Sequence, residues 1–141
     1  MAFDPARPRY TLPLAGAEYD LLGTMELIEA VEFALQRGVT QVAIDVMGDM
    51  PSWELAKLLS ATLTTSGHPL TPKAAKDLLW EKVGLAGDAN QLLRVHLYSF
   101  LTICLAPPEK REAKANDVGE LLGKLSKASP GETTSNSASA S

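Results

Sequence analysis

The order of patterns along the chain predicts an α+β fold that is mainly α. A short N-terminal β-hairpin leads into a small bundle of four to five helices, and a disordered tail follows. Three observations carry this. Tyr10, Leu12 and Leu14 alternate, Ala15-Gly16 interrupts, and Tyr19 and Leu21 alternate again, which is the period of two strands joined by a tight turn. Downstream, apolar residues recur at helical spacing in segments that carry their own start and stop residues. The last twelve residues, PGETTSNSASAS, have nothing to bury.

These patterns divide the chain into a loose N-terminus (1–8), one globular domain (9–106), a charged, weakly helical extension (107–127) and a disordered tail (128–141). "MAFDPARP" carries two prolines in eight residues, which suits neither helix nor strand. Pro13 has no N–H to give a ladder, so its strand belongs at a sheet edge. Thr24 is the expected N-cap of the first helix, whose inner stripe is Leu27, Ile28, Val31, Ala34 and Leu35, with Gly38 as its stop. The run "VTQVAIDVMGDMP" fits two readings. Val42, Ile44 and Val46 alternate as in a strand, while Thr40 would equally cap a short helix.

The next helix starts at Ser52 as N-cap, runs along Leu55, Leu58, Leu59, Thr62 and Leu63, and ends at Gly67. Thr71 caps another, with Pro72 in its first position, an inner face of Ala75, Leu78, Leu79 and Val83, and Gly84 past its end. Trp80 is expected to pack at the edge of that face. The longest helix opens with Asp88 as cap and is apolar around more than half its circumference, which predicts the centre of a bundle or a face for a partner. Pro107-Pro108 stops it. Beyond lies a weak stripe of Val118, Leu121, Leu122 and Leu125, interrupted by Gly119 and Gly123.

Composition narrows the function. The net charge is −4, and no run of five basic residues occurs, which argues against nucleic-acid binding. A helix-turn-helix reader would use Lys73, Lys76 and Lys82, but Asp77 and Glu81 cancel most of their field. There is neither a signal-peptide core nor an apolar run of membrane-spanning length, so the chain reads as cytoplasmic, with no membrane partner. Cys104 is the single cysteine, and its apolar surroundings, "FLTICLA", predict an inert core thiol.

No enzyme or metal signal emerges. His68 falls in a turn and reads as a solvated polar residue. His96 and Cys104 lie two turns apart, roughly 12 Å along a helix, too far for one tetrahedral ion, and His96 reads as a surface or interface residue. The carboxylate pairs Glu26/Glu29, Glu29/Glu32 and Asp45/Asp49 have the spacing of solvated helix faces. No phosphate loop, nucleophile elbow or zinc-protease motif is present, so no catalytic residue, cofactor or metal ligand is assigned.

"YDLLGTMELIEAVEFALQRG" and "SWELAKLLSATL…LTPKAAKDLLWEKVGL" resemble the small tail assembly chaperones of long-tailed phages and of alphaproteobacterial gene transfer agents. Val31-Glu32 stands where that family has an apolar-Glu pair, and Thr71 to Gly84-Leu85 matches its later capped helix. The resemblance covers about residues 8–106. "VTQVAIDVMGDMP" looks less helical than the family pattern, and the chain past Ala106 has no counterpart in it.

The resemblance implies a non-catalytic protein that binds the tape measure protein and keeps it soluble during tail assembly, with the tail tube protein as a second candidate partner. It also implies a longer frameshifted form in some members, for which Gly123-Lys124 is the place to look for a slippery G-then-A run in the gene. Such work needs an apolar surface on a charged, soluble body. The expected partner residues are Leu93, Leu97, Phe100 and Leu101 in the long helix, with Val118, Leu121, Leu122 and Leu125 beyond it. Two rivals are a structural tail component retained in the virion and an unrelated small cytoplasmic regulatory protein. The oligomeric state is left open.

Overall fold

A computed structural model describes residues 3–127, and side chains as far as Gly123. The expected α+β, mainly α architecture is observed. Strands β1 (Arg9–Leu14) and β2 (Ala17–Leu22) form an antiparallel hairpin. Helices α1 (Met25–Leu35), α2 (Val39–Met47), α3 (Ser52–Thr65), α4 (Pro72–Leu78), α5 (Asp88–Leu105) and α6 (Arg111–Lys127) follow. The expected tail, 128–141, lies outside the described residues.

The hairpin turn places both Ala15 and Gly16 at positive φ, 52° and 85°. That is the twist a two-residue hairpin connection needs. Leu12, Leu14 and Leu21 point into the core, and Pro13 opposes Glu18 across the ladder. The outer edge of β2 is covered: Asp20 O lies 3.1 Å from His68 Nε2, and Leu22 N donates to Ser66 Oγ at 3.0 Å. His68 is therefore half-buried, edge-on to Tyr19, and fastens the α3–α4 turn to the sheet. Covering the edge in this way removes a template for pairing with another chain. Residues 5–8 are not loose. Pro8 is buried and its carbonyl accepts from Gly23 N at 2.8 Å.

Residues 39–47 are helical. Val39, Val42, Ala43 and Val46 are buried at i, i+3, i+4 and i+7, while Ile44, which completed the strand-like alternation, is exposed. The start of α2 is capped from the helix before it, as Glu32 Oε2 accepts from Val39 N at 2.9 Å. Gly38 does not stop α1. Gln36 takes the left-handed position, and Gly38 is the extended N-cap of α2, because the link between the two helices is too short for both a glycine stop and a separate cap.

Two further caps shift by one residue. Pro51 rather than Ser52 caps α3, and Gly87 rather than Asp88 precedes α5. Thr24 and Thr71 cap as expected, accepting from Leu27 N and Ala74 N, each at 3.1 Å. The C-terminal end of α4 widens into a π-turn over Leu79–Val83, closed by Gly84 N donating to Leu79 O at 2.7 Å. Trp80, one residue past the buried Leu79 and five past the buried Ala75, points away from the apolar face and is 73% exposed rather than packed at its edge.

Helix α5 is the centre of the bundle, packed by α2, β1, the π-turn and α6. Arg94 ties it to the α2–α3 corner. Its Nη1 and Nη2 donate to Val46 O at 3.3 Å and Met50 O at 3.0 Å, and its Nε donates to Asn90 Oδ1 at 2.9 Å. Arg37 makes a second tie, donating to Glu54 at 2.7 Å and to Asp45 at 2.9 Å. The Glu54 bond, and then Asp45, raise the guanidinium's pKa. The expected charged extension folds as α6, docked on α5 through the buried Val118.

His96 is buried, not at the surface. Its Nδ1 shares a 2.7 Å hydrogen bond with the Tyr10 hydroxyl, and the two rings meet edge-on. Burial lowers the His96 pKa below its ordinary 6.5 and raises that of Tyr10 to about 12. The folded chain thus binds a proton at His96 less readily than the unfolded chain does. Stability contributed by neutral His96 is complete above pH 6.5 and is lost as the pH falls below it. The urea midpoint should therefore drop on acidification from pH 7 to 5, and His96→Gln should flatten this part of the profile. An unchanged slope in that variant would show that other groups set it.

Candidate functional site

The structure puts Leu93, Leu97, Phe100 and Leu101 inside the core, each 3% exposed or less. They hold the bundle together and leave no face for a partner. Of the two readings of the apolar surplus of α5, the bundle covers it, and the expectation that these four residues meet a partner is corrected. Val118 is also buried and Leu122 is half-buried, both on the docked side of α6. Leu121 is 56% exposed, while the side chain of Leu125 lies outside the described residues.

Large apolar side chains face solvent elsewhere. Phe33 on α1 is 79% exposed and Met25 63%, and Trp53, Ile44 and Trp80 stand out from α3, α2 and the π-turn. The sequence held a signal for the first two. Met25, Glu29 and Phe33 lie at i, i+4 and i+8, so they share a side of α1 away from Leu27, Val31 and Leu35.

Two concavities stand out among the described residues, and Met25 borders the larger. The larger, about 580 Å³, opens between the N-terminal segment, the start of α1 and the α5–α6 corner, with Pro8, Met25, Ile28, Cys104, Leu105 and Arg111 in its lining. Its wall is mostly apolar. Arg111 is fully engaged there. It donates to Pro5 O at 2.6 Å, Ala106 O at 3.0 Å and Cys104 O at 3.1 Å, so it caps the carbonyl end of α5 and clasps the N-terminal segment. The second, about 380 Å³, is a shallow groove between α1, α3 and the start of α4, lined by Ala34, Lys57, Ser60, Ala61, Thr64 and Leu70. Its hydroxyls are already satisfied, Ser60 Oγ donating to Leu70 O at 2.6 Å and Thr64 Oγ1 to the same oxygen at 3.1 Å.

Chemistry at the larger cleft is restricted by its thiol. Burial raises the Cys104 pKa to about 12, and the nearby charge of Arg111 offsets only part of that. At neutral pH the group is a thiol, not a nucleophilic thiolate. The native chain should therefore resist neutral alkylation at Cys104 and react once unfolded. Fast labelling of the folded chain would contradict this placement. Among the described residues, no three His, Cys, Asp or Glu side chains converge on a metal position. Nor does any buried side-chain nitrogen or oxygen there lack a partner. No described helix is long and apolar enough to cross a membrane.

Comparison of the chain with protein families, with characterised proteins and with solved structures gives no match.

Proposed function

We propose that the chain is a cytoplasmic, non-catalytic tail assembly chaperone of a phage or gene transfer agent. In this reading it binds the tape measure protein and keeps it soluble until the tail tube forms around it. The observation that supports this best is the number of large apolar side chains held in solvent on a body of net charge −4, led by Phe33, Trp80 and Met25. Apolar side chains scattered singly over a surface are ordinary, but gathered on one face, as Met25 and Phe33 are on the outer side of α1, they suit a partner. The surface does not suit a nucleic acid, whose phosphates ask for a basic face.

The rival reading, a structural component retained in the virion, differs in where the chain ends up. Quantitative mass spectrometry of purified particles should find the chain abundant in producing cells and absent from finished tails. Stoichiometric recovery in the particles would replace the chaperone reading with the structural one.

A further inference from the structure

We propose that the 580 Å³ cleft between the N-terminal segment, the start of α1 and the α5–α6 corner binds a small carboxylate with a hydrocarbon body, held at its charged end by Arg111. The proposal is independent of the chaperone reading and gives the chain a ligand that such work does not require.

Sites for single small molecules occupy about 300–1,000 Å³ and are mostly apolar, with a few polar groups that fix orientation. This cleft falls in that range, and Pro5, Pro8, Met25, Ile28, Leu105 and Pro108 supply its apolar wall. Three of these are proline rings, which have little side-chain freedom to lose when a ligand orders them. The N-terminal side of the wall is tied down without a ligand. Pro8 O accepts from Gly23 N at 2.8 Å, and Pro5 O from Arg111 Nη1 at 2.6 Å.

The polar groups of the wall decide the chemistry. Among the lining residues Arg111 alone is charged, and no carboxylate pairs with it among the described residues. Its partners are three neutral carbonyls, which leave the charge uncompensated. They use three of the five N–H groups that a guanidinium carries, so two remain to give. Thr24 Oγ1 accepts from Leu27 N, and its own hydrogen has no acceptor among the described residues. Acceptors are scarcer in the wall. The carbonyls of Pro5, Cys104, Pro8, Thr24 and Pro108 are already bonded. A peptide would bring amide N–H groups to a wall whose acceptors are in use, and would leave them unmet. A carboxylate on a hydrocarbon body brings acceptors only, and its charge meets the one cation of the wall.

The test titrates the full chain, isotopically labelled at its methionine methyl groups, with sodium octanoate and with its uncharged match, 1-octanol. Met25 lines the cleft and Met47 stands on α2, outside its lining, so the two methyl resonances report where the ligand sits. Octanoate should shift Met25, leave Met47 in place, and bind about tenfold or more tightly than octanol, the worth of a charge-assisted hydrogen bond. Met25→Glu and Met25→Gln remove the same apolar contact and differ in charge. Met25 is 63% exposed, so both should fold. By calorimetry Met25→Glu should bind octanoate about fivefold or more weakly than Met25→Gln. Arg111→Gln should abolish the preference for octanoate over octanol, and if that variant fails to fold, the Met25 pair still decides. Equal affinity for octanoate and octanol would overturn the proposal, as would a shift at Met47 in place of Met25. So would no binding of either compound. Tighter binding of an amidated Leu-Leu-Phe peptide than of octanoate would also overturn it, and would make the cleft a protein-docking site. Solubilisation of the tape measure protein is measured separately, so the chaperone reading can stand where the carboxylate site fails.

Discussion

Phe100→Ala should cost about 3–5 kcal/mol of folding stability, the range for removing a large aromatic from a core that cannot close around the gap. Phe100 is fully buried on α5, with the Tyr10 ring 5.9 Å away between centroids. It stands where the hairpin meets the central helix. Small domains have about 5–15 kcal/mol in total, so this one truncation removes a large share. Urea unfolding followed by circular dichroism measures it. The same variant separates two roles for α5. If Phe100 served a partner rather than the core, its loss would weaken binding and leave the midpoint in place. The burial of Phe100, Leu97 and Leu101 predicts the reverse.

Gly23→Ala carries the second large effect, about 1–3 kcal/mol, by overpacking. A Cβ at position 23 would lie 2.8 Å from Cys104 Sγ and 2.8 Å from Pro8 Cγ, with Pro8 Cδ at 3.2 Å. A proline ring cannot rotate aside, and Gly23 N–H is bonded to Pro8 O, so relief requires the N-terminal segment to lift. The expected result is a lower urea midpoint together with faster alkylation of Cys104, because the same movement uncovers the thiol. An unchanged midpoint and unchanged labelling would show that residues 5–8 yield freely and that the cleft wall they form is soft.

Much of the fold was legible because its signals are local. The hairpin rests on alternation around Ala15-Gly16, and the starts of α1 and α4 rest on Thr24 and on Thr71-Pro72. The misplaced features depend on residues far apart in sequence or on turn geometry. Alternation in residues 39–47 fitted a strand as well as a helix. A carboxylate from the preceding helix, Glu32, caps the helix that forms there. Trp80 borders the apolar stripe in sequence, yet its helical position, about 140° round from the buried Ala75, puts it in water. His96 looked like a surface residue because its partner, Tyr10, is 86 positions away.

The candidate surface was legible only in part. An apolar surplus on α5 is the same in sequence whether a bundle or a partner covers it, and here the bundle does. Phe33 and Met25 lay on the polar side of a well-formed amphipathic helix, a placement that sequence spacing already records.

Co-expression of the chain with the long helical protein encoded beside it tests the central claim most directly, with the soluble and co-purifying fraction of that protein as the readout. A tape measure protein that is insoluble alone should become soluble and co-purify with the wild-type chain. Unchanged solubility with no co-purification would contradict the chaperone function.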